Sequence, residues 1–228
     1  ISKHDIVLNV KWRPFDQLWI SSFKNVQPIT PNFEASLFID YIYLDLNERE
    51  KFVNKTHFYL IEQIQSNGDY YFQKSNKSPI IKLNFYHPIK ELVWAIQRAD
   101  VLVRDDDDEA DDFSYGNDWF NFSNNKSLSS NTLVDIFDTA QLQLNGQDRF
   151  DALPSKYFRL YQPYKYHTKI PSNFIYTYSF SFKPEDIQPT GSCNFSCFDN
   201  ARLVLNMKNR EIKSDYIIKI YAINYNLL

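Results

Sequence analysis

Ile175, Tyr176, Thr177, Tyr178, Ser179, Phe180, Ser181 and Phe182 follow one another, with a large aromatic at every second position. A period of two is the side-chain period of a β-strand, and β-branched and aromatic residues suit a pleated, half-buried surface. The stretch therefore predicts a strand with its aromatic face turned to a core. The same alternation recurs outward from it in both directions. Leu203 and Leu205 alternate with Arg202, Val204 and Asn206, and Ile218, Ile220 and Ala222 with Lys219 and Tyr221. Upstream, Leu142 and Leu144 stand between Gln141, Gln143 and Asn145, and Leu83 and Phe85 between Lys82 and Asn84. Leu37, Ile39, Tyr41 and Tyr43 alternate with Phe38, Asp40, Ile42 and Leu44, which predicts a further strand.

Turn chemistry separates these runs. Asn67, Gly68 and Asp69 read as a hairpin turn, because Asn and Gly tolerate positive φ. Asn145-Gly146 ends another strand, and breaks are expected at Tyr86-His87-Pro88 and at Lys183-Pro184-Glu185-Asp186. Helical signals are few. Asn47 is an expected N-cap for one or two turns through Phe52, and Pro154 opens a short helix to Leu160. The reading is an all-β chain with about eight strands after residue 57, the count of an antiparallel jelly-roll sandwich.

Composition excludes several classes. Of 228 residues, 17% are aromatic and 43% hydrophobic, which is not the composition of a disordered chain. No apolar run approaches the length of a membrane-spanning helix. A net charge of -3 supplies no field to draw nucleic acid, and two Cys do not make a disulfide scaffold. The chain opens on Ile1 with no signal-like run, so it is expected not to be a complete translation product.

The search for chemistry yields no enzyme. His4, His57, His87 and His167 never fall two or four residues apart, so a zincin-like or cupin-like metal site lacks ligands. Cys193 and Cys197 have no companion Cys or His and are read as reduced thiols. Four scattered Gly cannot build a phosphate-cradling loop. No cofactor is expected. The longest unpatterned stretch, Ala99 to Asn131, carries an acidic block of Asp105, Asp106, Asp107, Asp108, Glu109, Asp111 and Asp112. So many carboxylates repel one another, and the block reads as a solvent-exposed loop; it lacks the spacing of a calcium loop. Asn-X-Ser/Thr triplets begin at Asn54, Asn76, Asn121, Asn125 and Asn194, and Asn54, Asn121, Asn125 and Asn194 are kept as candidate glycosylation positions.

The words of the sequence then become informative. Tyr41–Asp45 (YIYLD), Glu48-Arg49, Phe52 and Tyr59–Gln63 (YLIEQ) resemble the segment joining the two jelly rolls of major capsid proteins from large nucleocytoplasmic DNA viruses. His87–Trp94 (HPIKELVW) and Asp138–Phe150 (DTAQLQLNGQDRF) resemble later strands of that family. Tyr157–Leu160, His167-Thr168, Ile170-Pro171 and Tyr176–Phe180 follow in the family's order. Lys183–Asp186, Gln188-Pro189, Gly191–Ser196 and Asp199-Asn200 are similar to its most recognisable loop, and Ile220–Asn226 to its last strand. The resemblance covers roughly residues 35 to 228. Cys197-Phe198 departs from it, standing where the family has Arg and an aliphatic residue.

The resemblance implies a double jelly roll of which this chain holds the second half. Residues 1–46 would be closing strands of the first jelly roll, 47–56 a short helical connector, and 57–228 the second jelly roll. It implies a structural virion protein that forms homotrimeric, pseudo-hexagonal capsomers tiling an icosahedral capsid. Its implied partners are copies of itself, neighbouring capsomers and minor capsid proteins, above an inner membrane into which it does not insert, and no nucleic acid. It would be assembled in the host-cell cytoplasm. The alternatives are a scaffold or minor capsid paralogue of the same fold, or a jelly-roll carbohydrate-binding module.

Overall fold

A computed structural model of the chain describes residues 7–15, 18, 32–102, 118–125, 134–207 and 214–228. Within them the strands are β1 (Leu60–Phe72), β2 (Ile80–Leu83), β3 (Pro88–Arg98), β4 (Thr139–Leu144), β5 (Gln147–Asp148), β6 (Leu153–Pro154), β7 (Ile175–Ser179), β8 (Cys193–Asn194), β9 (Ala201–Asn206) and β10 (Tyr216–Leu227). One sheet has the order β1-β10-β3-β7, with β8 on β3. The other has the order β2-β9-β4-β5, with β6 on β4. Every pairing is antiparallel. With β6 and β8, which lie off the main path of their sheets, set aside, eight strands remain in the orders 1-8-3-6 and 2-7-4-5. That interleaving is a jelly roll, as expected.

The core lies between the two sheets. Ile220, Trp94 and Tyr176 stand side by side across β10, β3 and β7 and are almost fully buried. Ile81, Leu203 and Leu142 face them from the second sheet. The aromatic load concentrates here. Trp94 lies 5.2 Å from Phe158 and 6.0 Å from Tyr176, and Phe137 lies 4.6 Å from Tyr176. Such offset and tilted ring pairs add about 0.5–1.5 kcal/mol each beyond their burial.

A helical segment crosses from β6 to β7. It contains a π-helical turn, Tyr157–Tyr161, and α2, Gln162–Tyr166. Asp135 anchors it: the Arg159 guanidinium donates to both carboxylate oxygens, at 2.8 and 3.2 Å, and the Tyr176 hydroxyl donates to the same group at 3.1 Å. The segment covers β7 from outside, where the Ser179 N–H donates to Gln162 Oε1 at 3.1 Å. This is why Thr177 and Ser179 are buried although they lie opposite the aromatic face.

Four local expectations are corrected. Asn67-Gly68 is no hairpin turn; β1 continues through it as a bulge, with the register shifting between Ser66 and Asp69. The side chain of Asn67 makes the difference: its Nδ2 donates to the Lys82 carbonyl at 2.8 Å, and its Oδ1 accepts from the Asn84 N–H at 2.9 Å. Residues 37–44 form no strand, because among the described residues no strand pairs with them. Asp45, not Asn47, caps the first helix, α1 (Leu46–Asn54), with Oδ1 accepting from the Glu48 N–H at 2.8 Å. Pro154 pairs with Thr139 in β6 rather than opening a helix, and helical backbone begins at the next residue.

Candidate assembly surface

Metal-ligating side chains do not gather in the described residues. No group of three or more His, Cys, Asp or Glu there could hold a metal, and no helix there is long and apolar enough to cross a membrane. What does gather is exposed apolar surface, and it is unevenly distributed.

The two outer sheet faces differ in kind. On the face of β2, β9 and β4, Lys82, Arg202 and Gln143 stand in one cross-strand row, and Gln143 Nε2 donates to Asp148 Oδ1 at 2.9 Å. Ile80, Val204 and Gln141 make the neighbouring row. The outer face of β1, β10 and β3 is more apolar. Ile64 pairs with Ile223, Tyr221 with Val93, and Tyr71 with Ile217. Ile64 is 72% exposed and Tyr71 68%, with Tyr221, Ile223, Val93 and Ala95 partly open beside them. A large exposed apolar patch on a folded domain marks a contact surface.

The chain before β1 adds to that surface. Residues 32–60 are exposed throughout, including Phe38 at 94%, Ile42 and Tyr43. Helix α1 buries no residue, although Leu46, Phe52 and Val53 lie on it. An isolated helix of nine residues has little stability of its own in water, so one that buries nothing requires a partner. The arm is tied to the sandwich at its end, where the Tyr59 N–H donates to the Leu228 carbonyl at 3.1 Å and the Leu228 N–H to the Tyr59 carbonyl at 2.9 Å.

A second exposed apolar area lies on the helical segment. Leu160, Tyr161, Tyr164 and Ile170 line an open groove of about 490 Å³ with Pro154, Lys156 and Tyr157. The rings of Tyr157 and Tyr161 in its lining are stacked, 5.1 Å apart.

The residues singled out from sequence scatter. The acidic block Asp105–Asp112 lies outside the described residues; it belongs to the connection between Arg98 of β3 and Thr139 of β4, the third and fourth strands. Asn121 is fully buried, with Nδ2 donating to the Asn125 carbonyl at 2.9 Å and Oδ1 accepting from Ser123. A glycan on Asn121 would have to displace this packing. Asn54 and Asn194 are exposed, and Asn125 is half-buried. Asn194 Oδ1 accepts from the Ser196 N–H at 3.1 Å. Cys193 is half-buried and Cys197 exposed, and burial pushes the Cys193 thiol up from its ordinary range. Phe198, at the position departing from the family's pattern, packs edge-on against Phe195 at 6.0 Å.

Sequence reasoning named His167 only among the four histidines and in a family word, and could not place its partner. Its Nε2 lies 2.8 Å from Glu91 Oε2, bridging the end of α2 to β3. Only a contact 76 residues away in the chain gives it meaning, and no local spacing carries that signal.

Comparison with known proteins gives a consistent result. Residues 48–228 match the family model for the large eukaryotic DNA virus major capsid protein. The chain is 35% identical over 217 residues to a major capsid protein of Pyramimonas orientalis virus, an alignment covering 85% of this chain and 46% of that protein. It is 33% identical over 240 residues to the major capsid protein of Paramecium bursaria Chlorella virus 1, covering 85% of this chain and 51% of the relative. Among solved structures, a quasi-atomic model of the PBCV-1 virus capsid superposes with a TM-score of 0.63 at 30% identity, over 82% of this chain and 52% of that one. The Faustovirus major capsid protein superposes with a TM-score of 0.64 over 82% of this chain and 36% of that one; at 12% identity it shows the shared fold alone. The chain spans about half the length of the curated relatives it matches.

Proposed function

This chain belongs to the large eukaryotic DNA virus major capsid proteins, a structural and non-enzymatic family, and we propose that it is the second jelly roll of a capsid subunit whose trimers form pseudo-hexagonal capsomers of an icosahedral shell. The observation that carries the proposal is the asymmetry of the sandwich: one outer face sets Lys82, Arg202, Gln143 and Gln141 around Ile80 and Val204, while the other, with the arm before β1, exposes Ile64, Tyr71, Tyr221, Phe38 and Tyr43 and has Lys219 and Asp69 as its charged pair. A protein surrounded by water on all sides gains nothing from such a face. A subunit packed between neighbours buries it, and burial stabilises by about 25 cal/mol per Å² of apolar area.

On this reading residues 1–46 close a preceding jelly roll, 47–56 connect, and 57–228 are the second jelly roll. The strand pattern of 37–44 then has its sheet partners in that preceding jelly roll. The subunit resides in the virion and is assembled in the host-cell cytoplasm. Its partners are copies of itself, neighbouring capsomers and minor capsid proteins, above an inner membrane it does not enter. Many modest contacts add up, because each capsomer touches several neighbours at once.

The test is native mass spectrometry of the full-length protein with and without Ile64→Lys and Tyr221→Lys. The proposal expects a trimer for the unmodified protein and loss of that species, with folding retained, for the double substitution. A monomer in the unmodified protein contradicts it.

A further inference from the structure

His167 ends the helical segment, yet it reaches back to the sheet. It is 14% exposed and its partner Glu91 8%, so the contact is shielded from water. A second carboxylate comes from another element: Glu185, in the connection between β7 and β8, accepts from the Thr168 N–H at 3.0 Å. The neighbouring cation does not compete for Glu91, because Lys90 Nζ is committed to Glu62 Oε1 at 2.6 Å. Tyr225 of β10 stands near the same carboxylates, and burial pushes its hydroxyl up, so it stays neutral. The backbone carbonyl of Gln162 on its own helix also favours the protonated imidazole, although the second ring nitrogen, Nδ1, is buried without a hydrogen-bond partner. Glu91 from the sheet and Glu185 from the following loop are the carboxylates that favour a charged His167.

We propose that His167, bound to Glu91 and next to the residue whose N–H binds Glu185, is a pH-operated clasp that fixes the helical segment and its aromatic groove to the sandwich in mildly acidic solution and loosens it as the pH rises. The carboxylate of Glu91 raises the His167 pKa above the ordinary histidine value, and the charges of Glu91 and Glu185 add to that, against the opposing effect of burial. A histidine raised in the folded state contributes its full stabilisation below the ordinary value and loses it as the pH rises through the raised one. The neutral imidazole keeps one N–H for Glu91, so the clasp weakens rather than opens outright. The segment it holds carries Leu160, Tyr161, Tyr164 and Ile170, so the clasp sets how firmly that apolar surface is presented. The device is a property of the sandwich itself, and its failure would leave the assembly reading untouched.

The test combines proton NMR of the histidine rings with hydrogen exchange of residues 157–168 in the full chain, between about pH 5 and about pH 8. The His167 resonance, assigned by its loss in H167Q, is expected to titrate above the free-histidine range. Amide protection, corrected for intrinsic exchange, is expected to fall by about threefold or more over that range. H167Q should flatten this profile, and E91Q should move the His167 midpoint down. A His167 midpoint at or below the free value, or an H167Q profile that matches the unmodified protein, overturns the proposal. If H167Q fails to fold, the E91Q titration decides it: an unmoved midpoint overturns the clasp.

Discussion

Asp135 is 3% exposed and holds two other groups in place. Its carboxylate takes both arms of the Arg159 fork and the Tyr176 hydroxyl, and Arg159 also lies 4.4 Å over the Phe174 ring. Burial, the Asp135 charge and the hydrogen bond all keep Tyr176 neutral, its hydroxyl pushed well above the usual range. Removing the anion leaves a shielded guanidinium without its counter-charge, and such losses cost about 3–5 kcal/mol. Asp135→Ala is therefore expected to lower the urea midpoint far more than Tyr176→Phe, which gives up one hydrogen bond worth roughly 1 kcal/mol. Equal shifts for the two would refute the network. Gly191 makes a different demand. Its φ is 146°, and a Cβ there would stand 3.0 Å from the Phe180 carbonyl oxygen and 3.4 Å from Ser181 Cα. Gly191→Ala forces a side chain into backbone that cannot yield, so a loss of about 1–3 kcal/mol in chemical denaturation is expected; a neutral result would mean that the loop is not built as described.

At the scale of elements, the chain announces strands with one face toward water and hides the strand that is covered on both faces. β4 and β9 alternate apolar with polar residues because one face of their sheet meets water, and both were legible in the sequence. β3 is covered on both faces along most of its length, so its alternation is lost and only family resemblance marked it. The Asn67-Gly68 pair carries the local chemistry of a turn, yet β10 pairs with both sides of it. Tertiary pairing overrode the local signal, and the bulge re-aims Asn67 at the start of the β2–β3 connection. Asn67→Ala is expected to speed hydrogen exchange at the Asn84 amide several-fold and to cost roughly 1 kcal/mol. Unchanged Asn84 exchange would show that the staple is idle. The alternating residues 37–44 taught the opposite lesson: a strand pattern states what a segment can pair with, not that a partner lies within the same chain segment. The candidate surface was the least legible part, because a face made from β1, β10 and β3 exists only after the sheet has formed. The acidic block, conspicuous in sequence, lies outside the described residues.

For the whole molecule, the heavy aromatic content divides in two. One part, around Trp94, Phe137, Phe158 and Tyr176, fills the sandwich. Another part, including Phe38, Tyr43, Phe58 and Tyr71, faces outward. A polypeptide of these 228 residues alone is therefore expected to associate or precipitate, since its outward aromatics have nothing to cover them. Light scattering showing a monodisperse monomer would contradict this. The outward part belongs, on this account, to contacts within and between capsomers, and the family's structural role needs no site beyond them. The most direct measurement is cryo-electron microscopy of particles assembled from the full-length protein. The account predicts trimeric capsomers in which this sandwich recurs as the second jelly roll of each subunit, with Ile64, Tyr71 and Tyr221 buried against a neighbouring jelly roll. A reconstruction in which that face looks onto open solvent, or in which the protein forms no shell, would contradict it.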